Sequence, residues 1–243
     1  MEKNILVTGA NRGIGKAIVE AFIANGDNVW ACCRNKNPEM NLWTELYQRD
    51  EQWVKIVEFD ICSEPEIESA LKSIIKSQIP IDVVVNVAGV GHLNLFPLTS
   101  FKEIRRVYEV NLFGLMKICQ LVIRPMIRRK SGQIINISST AAKEIYAGNT
   151  VYGASKAAVV AFSQSLAADL APYGIRVNTV APGLTRTEMS KVFEADNPQL
   201  PLSRSVLGRK IEPVEIADVV VELTSDKMKM INGQMICVNG GSK

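Results

Sequence analysis

Tyr152 and Lys156 stand four residues apart in Tyr152-Gly153-Ala154-Ser155-Lys156, a spacing that puts both on one face of a helix. A free phenol titrates near ~10 and is a poor acid–base group at neutral pH. A neighbouring ammonium stabilises its anion and brings that chemistry within reach. Ile134-Ile135-Asn136-Ile137 runs into Ser138-Ser139, which sets hydroxyls at the carboxyl end of a strand, where doubly wound sheets bind ligands. A serine there can hydrogen-bond a carbonyl oxygen beside the phenol. Together these residues can hand a proton to a carbonyl oxygen, or take one back.

A second cluster lies near the N-terminus. Thr8-Gly9-Ala10-Asn11-Arg12-Gly13-Ile14-Gly15 follows an apolar run and opens a helical pattern. Glycines let a backbone turn sharply and approach a pyrophosphate, and the helix N-terminus offers free N–H groups to its oxygens. The spacing is G-x-x-x-G-x-G rather than the common G-x-G-x-x-G. Dinucleotide sites often carry an acid after the second strand for the ribose hydroxyls. Here that strand ends Cys32-Cys33-Arg34-Asn35. With Arg12 in the turn, two guanidinium groups would favour a 2′-phosphate. NADP(H) is therefore expected in preference to NAD(H), which is still possible.

Composition narrows the alternatives. The chain has a single histidine, His92, so a two-histidine metal site is excluded and no metal is expected. His92 follows Gly91 after the fourth apolar run, near the expected site, where it touches substrate, caps a turn or is solvated. A net charge of +3 implies no broad basic surface for nucleic acid. Cys32, Cys33, Cys62, Cys119 and Cys237 form no C-x-x-C pair, which fits free thiols in a reducing cytoplasm. Neither a leader after Met1 nor a membrane span is expected.

The elements that must position these groups follow from the pattern. Continuous apolar runs at 5–7, 29–33, 54–59, 81–85, 133–137, 176–180 and 234–238 read as strands buried on both faces. Helical patterns fall at 13–24, 39–50, 64–77, 101–129, 151–171 and 214–224. Alternation of this kind predicts an α/β fold: one doubly wound Rossmann-type domain, residues 1–243, with a mostly parallel seven-stranded sheet. Pro125 lies inside the 101–129 pattern and would kink or end it. The basic end of that pattern, Arg124, Arg128, Arg129 and Lys130, suits a helix C-terminus. Residues 185–213 break the rhythm and read as a substrate-binding loop or lid.

The whole pattern resembles the short-chain dehydrogenase/reductase family in its compact form. The resemblance rests on the Thr8–Gly15 turn, Asp60, Asn86-Val87-Ala88-Gly89, Asn111, Ser139, Tyr152, Lys156, Pro182-Gly183 and Thr187. It spans nearly the whole chain and selects Ser139 over Ser138 by its distance of thirteen from Tyr152. It implies that Tyr152 is the acid in reduction and that Ser139 polarises the substrate oxygen. Lys156 would hold the nicotinamide ribose and lower the tyrosine pKa, and Asn111 would anchor a water that relays protons to it. The cofactor would be held by Gly9, Asn11, Arg12, Gly13, Ile14, Gly15, Arg34, Asp60, Ile61, Asn86, Ala88, Gly89, Tyr152, Lys156, Pro182, Gly183 and Thr187. One departure is Val87, where the family usually has asparagine; a small change in stability and no loss of chemistry are expected there. Within the family the chain resembles the 3-oxoacyl-acyl-carrier-protein reductases of fatty acid biosynthesis, cytoplasmic homotetramers whose substrate is carrier-linked. Sugars, steroids and small ketones remain alternative substrates, and Arg124, Arg128 and Arg129 are candidates for contact with an acidic carrier.

Two rival readings differ in class. Gly153-Ala154-Ser155-Lys156-Ala157 echoes a hydrolase nucleophile elbow, but the last glycine is absent and His92 precedes the serine, against that class's order. A non-catalytic NADP(H)-binding protein would have no need of both Tyr152 and Lys156.

Overall fold

The computed structural model describes residues 2–47, 52–194 and 205–241. Seven strands form one sheet: β1 (Asn4–Thr8), β2 (Asn28–Cys33), β3 (Val54–Glu58), β4 (Val83–Asn86), β5 (Gly132–Ile137), β6 (Ile175–Pro182) and β7 (Met235–Val238). Their order is β3-β2-β1-β4-β5-β6-β7 and every pairing is parallel, so the mostly parallel sheet expected is wholly parallel. The chain runs outward from β1 to β3, then crosses to β4 on the other side of β1. That reversal opens a crevice at the carboxyl ends of β1 and β4, where such sheets take ligands.

Side chains of a strand alternate between faces, and the two cores divide accordingly. Ile5, Val7, Val29, Ala31, Val83 and Val85 pack against α1 (Gly13–Ala24), α2 (Pro38–Leu46) and α8 (Pro213–Leu223). Leu6, Trp30, Cys32, Val84, Ile134 and Val177 pack on the other face against α3 (Glu64–Lys76), α5 (Gly114–Arg129) and α6 (Thr150–Leu170). Both faces are covered, which is why these strands read as unbroken apolar runs rather than as alternation.

The 101–129 pattern departs from a plain helix. Ser100 and Glu103 form a reciprocal cap that starts α4 (Phe101–Tyr108). A wider π-type turn at Glu109–Phe113 follows before α5, and such turns concentrate at functional positions. Here it buries Asn111. Pro125 does not end α5, which continues to Arg129 and stops at Lys130 in the left-handed conformation (φ 53°). Its break falls within the last turns, where only one ladder bond is forgone. Gly114 fits because a Cβ there would lie 2.5 Å from the Ile61 carbonyl oxygen.

By length and composition alone this 29-residue run is long and apolar enough to cross a membrane, although it holds no unbroken apolar stretch of that length. Its apolar stripe is instead buried on the sheet, with Leu115, Ile118, Cys119, Val122 and Met126 at most 3% exposed. The Arg129 guanidinium donates to the Ile81 carbonyl oxygen at 2.7 Å and lies 3.7 Å from Asp82, so it anchors the start of β4.

Two expectations reach beyond the described residues. The second helix ends at Leu46 with Tyr47 as its cap, and residues 48–50 of the expected span lie outside. Within 185–213, Thr185 bridges to Ile211 and a short α7 (Ser190–Glu194) intervenes, while residues 195–204 lie outside. Because the 101–129 run is a core element, Ile118→Ala should cost about 2–5 kcal/mol. Urea unfolding checks this, and a change under 1 kcal/mol would contradict the packing.

Candidate active site

The glycine turn is built by close approach. Gly9 takes φ 66°, and a Cβ there would sit 2.9 Å from the Ala88 Cα. A Cβ on Gly15 would collide with the Gly9 carbonyl oxygen. The Thr8 hydroxyl accepts the amides of Val87 (3.0 Å) and Ala88 (3.2 Å), which closes the turn after β1 onto the turn after β4. Val87 itself packs against the apolar core on the β1 face, so a methyl contact stands where an amide usually does.

The first turn of α1 holds no acidic side chain, and Arg12 at its cap bonds no amide with its side chain. The helix N-terminus therefore faces a cleft of about 590 Å³ with its N–H groups free for an anion. A dinucleotide's pyrophosphate fits this cradle in shape and charge.

Of the residues singled out from the sequence, Gly9, Asn11, Arg12, Gly13, Ile14, Gly15, Arg34, Asp60, Ile61, Ala88, Gly89, Ser139, Tyr152, Lys156, Pro182, Gly183 and Thr187 all line this one cleft. Asn11 braces neighbouring loops, donating to the Asn35 carbonyl oxygen (3.1 Å) and accepting from Asn37 through its own carbonyl (2.7 Å). Asp60 caps its turn through the Cys62 amide (2.9 Å). Exposed Arg12 and Arg34 form no ion pair among the described residues. One acid does approach: Glu58 lies opposite Cys33 in register, but its carboxylate is held by the Lys36 amide at 3.1 Å and lies off the cleft wall.

Asn86, Asn111 and His92 do not form part of the wall. Asn86 is 2% exposed and donates to Asn136 Oδ1 (2.8 Å), whose amide donates on to Ser163 (2.8 Å). Asn111 accepts the Val90 amide (2.8 Å) and donates to the Val90 carbonyl oxygen and to Ser155 Oγ (both 3.1 Å). It thus fastens α6 to the loop after β4. A Cβ on Gly89 would lie 3.3 Å from Asn111 Oδ1 and 3.4 Å from Lys156 Nζ, so these groups converge beside Gly89. Both ring nitrogens of His92 are buried without a hydrogen-bond partner among the described residues.

Tyr152, Lys156 and Ser139 come together from α6 and the turn after β5. The Ser139 hydroxyl faces the Tyr152 phenol and favours its anion. Lys156 Nζ donates to the Ile137 carbonyl oxygen at 3.0 Å and stands 6.0 Å from the Tyr152 ring centroid. Burial dominates both groups. It pushes the phenol up to about 12, with the Ser139 hydrogen bond pulling down and the Tyr146 phenol pushing further up. Burial also pulls the Lys156 ammonium down to about 8. The depression of the phenol by Lys156 expected from the sequence is not part of this balance. What results is a phenol that keeps its proton at neutral pH.

Further wall residues went unread in the sequence: Val90, Leu93, Glu144, Tyr146, Met189, Phe193, Arg209 and Asn239. Phe193 packs against the Tyr152 phenol with ring centroids 5.1 Å apart and the rings tilted by 52°. They sit on loops or a five-residue helix, where no periodicity marks them.

Comparison with known proteins places this geometry. The short chain dehydrogenase family model matches residues 3–198. The chain belongs to the short chain dehydrogenase family. As a member it is an oxidoreductase acting on C=O and CH–OH groups, in a family that binds nicotinamide cofactors. It is 35% identical over 239 residues to the 3-oxoacyl-acyl-carrier-protein reductase of Vibrio harveyi, covering 98% of this chain and 96% of that one. Among solved structures, a Brucella melitensis 3-oxoacyl-acyl-carrier-protein reductase with bound NAD matches at TM-score 0.87 and 32% identity, over 99% of this chain and 90% of that one. A variant actinorhodin polyketide ketoreductase with NADPH matches at 0.88 and 28%, over 98% and 96%.

The buried lysine of this dehydrogenase makes a pH prediction. With its folded pKa lowered to about 8, below the unfolded ~10.4, charging Lys156 opposes folding fully below pH 8. That penalty is relieved as pH rises. Wild type should therefore gain stability relative to Lys156→Met between pH 8 and 9, in paired urea titrations. A constant difference across that window would contradict the burial argument.

Proposed function

We propose that this enzyme reduces a carbonyl to an alcohol with NADPH, reversibly, and that its substrate is a 3-oxoacyl thioester. The observation carrying this reading is the meeting of Ser139, Tyr152 and Lys156 on the wall of the same cleft that the glycine turn enters. When bound, the cofactor supplies a hydride to the carbonyl carbon.

The protein's own residues do the rest. Ser139 and Tyr152 donate hydrogen bonds to the carbonyl oxygen and stabilise the charge that develops on it. Tyr152, protonated at neutral pH through burial, passes its proton to that oxygen. Lys156 holds the nicotinamide ribose beside Tyr152, and Asn111 orders the proton path behind it. Gly9, Gly13, Ile14 and Gly15 hold the pyrophosphate. Asp60 and Ile61 hold the adenine, and Ala88, Gly89, Pro182, Gly183 and Thr187 border the rest of the cofactor. One domain, residues 1–243, carries cofactor and substrate alike, with 185–213 as the substrate loop, and it assembles as a homotetramer in the cytoplasm.

Preference for NADP(H) is supported by Arg12 and Arg34, exposed at the cleft and unpaired with any carboxylate among the described residues. The thioester is favoured by the curated relatives' names; keto sugars, steroids and small ketones are the competing substrates. Of the candidate carrier contacts, Arg124 and Arg128 stay exposed, whereas Arg129 is committed to the Ile81 carbonyl.

Turnover of acyl thioesters, keto sugars and steroids with NADPH and with NADH tests the reading directly. NADPH should give the lower KM, and Arg34→Ala should raise it for NADPH about tenfold or more with little effect for NADH. Equal or better use of NADH by wild type would refute the preference. Tyr152→Phe should cut kcat at least ~100-fold while NADPH still binds in a fluorescence titration. Retained turnover would remove Tyr152 from its role.

A further inference from the structure

Asn149 precedes α6 in the place of a helix cap, yet its side chain caps no amide of that helix. It is 6% exposed. Both amide hydrogens point backwards instead, to the Ala141 carbonyl oxygen at 2.9 Å and the Glu144 carbonyl oxygen at 3.2 Å. Its Oδ1 is buried without a hydrogen-bond partner among the described residues. An asparagine at this position normally stabilises the helix start by bonding its first amides. This one forgoes that and leaves an acceptor unsatisfied, a local loss of the kind that occurs where function demands it.

The segment it grips is the turn that carries Ser139. The Ala141 amide donates to Ser139 Oγ at 3.2 Å, while the Ala141 carbonyl takes the Asn149 amide. On the other side the same amide lies against Gly153, the residue after Tyr152. A Cβ on Gly153 would stand 2.5 Å from Asn149 Nδ2 and 2.8 Å from the Ala141 carbonyl oxygen. The Gly153 amide in turn donates to the Asn149 carbonyl at 2.7 Å. A continuous chain of contacts therefore runs from Ser139 through Ala141 and Asn149 to the turn of helix that presents Tyr152.

We propose that Asn149 is a positioning residue that holds the Ser139 hydroxyl in hydrogen-bonding register with the Tyr152 phenol. This rests on the reading of Ser139, Tyr152 and Lys156 as the proton-transfer set. The side chain works as a double donor to two carbonyl oxygens, and this sets it apart from a cap. A cap works as an acceptor, so aspartate would serve as well as asparagine. Facing two carbonyls, aspartate presents only acceptors and repels them, so it is worse than alanine.

The test compares Asn149→Ala and Asn149→Asp with wild type in the purified full chain, with Tyr152→Phe as control. Turnover should rank Asn above Ala above Asp, with Ala losing about 10–100-fold in kcat and the NADPH dissociation constant within about twofold. In alcohol oxidation, where the phenolate is the base, the pH midpoint of Asn149→Ala should move upward by about half a unit or more. Loosening Ser139 removes the bond that holds the phenol down. The other titratable groups facing Tyr152, Lys156 on α6 and Tyr146 on the loop before it, are unaltered. Aspartate equal to or better than alanine, or an unmoved midpoint, overturns the proposal. If Asn149→Asp does not fold, Gly153→Ala displaces the same amide from the opposite side. It should lower kcat and raise the midpoint likewise, and an unchanged profile overturns the proposal. An active Tyr152→Phe would instead refute the underlying site reading. An inactive Tyr152→Phe beside a wild-type Asn149→Ala refutes the role of Asn149 alone.

Discussion

The turn after β1 and the turn after β4 touch backbone to backbone, and the rest of the molecule is arranged around that contact. Gly9 leaves no space for a side chain against Ala88, and the Thr8 hydroxyl satisfies two amides of the opposing turn. Buried amides without partners are costly, so this single hydroxyl keeps the switch point closed where the strand ladder ends. From there α1 departs with its N-terminus toward the cleft. The loop after β4 runs on to Asn111, which fastens it to α6 through Ser155. The glycine turn and the α6 residues Tyr152 and Lys156 are thus placed by one junction.

Burial then decides the chemistry. Tyr152 and Lys156 are both nearly inaccessible, and desolvation disfavours the charged form of each. The phenol stays protonated and the ammonium is weakened. Proximity of the lysine, the obvious sequence-level explanation, is secondary at 6.0 Å from the ring centroid. The Ser139 hydroxyl does more to moderate the phenol.

Much of the site was legible because its residues obey local rules. Glycines at a strand-to-helix turn and a tyrosine and lysine at helical spacing have meaning within a few residues of chain. The sheet was legible for the same reason, since a strand covered on both faces leaves an unbroken apolar run. Asn86 shows where this ends: it belongs to the motif, yet its amide turns into a buried row with Asn136 and Ser163. Phe193 and Tyr146 show the converse. They approach the Tyr152 phenol from a loop and a five-residue helix too short for a period to announce.

The amino-acid sequence by itself determined the order of elements, the glycine turn and the choice of Ser139, Tyr152 and Lys156 as candidates, because each depends on neighbours along the chain. Tertiary structure alone decided which partners those residues meet. The π-type turn that buries Asn111, the carboxylate of Glu58 arriving from an adjacent strand, and the grip of Asn149 on the Ser139 turn all depend on segments brought together across the fold. Such contacts arise from packing, and packing has no signature in local spacing.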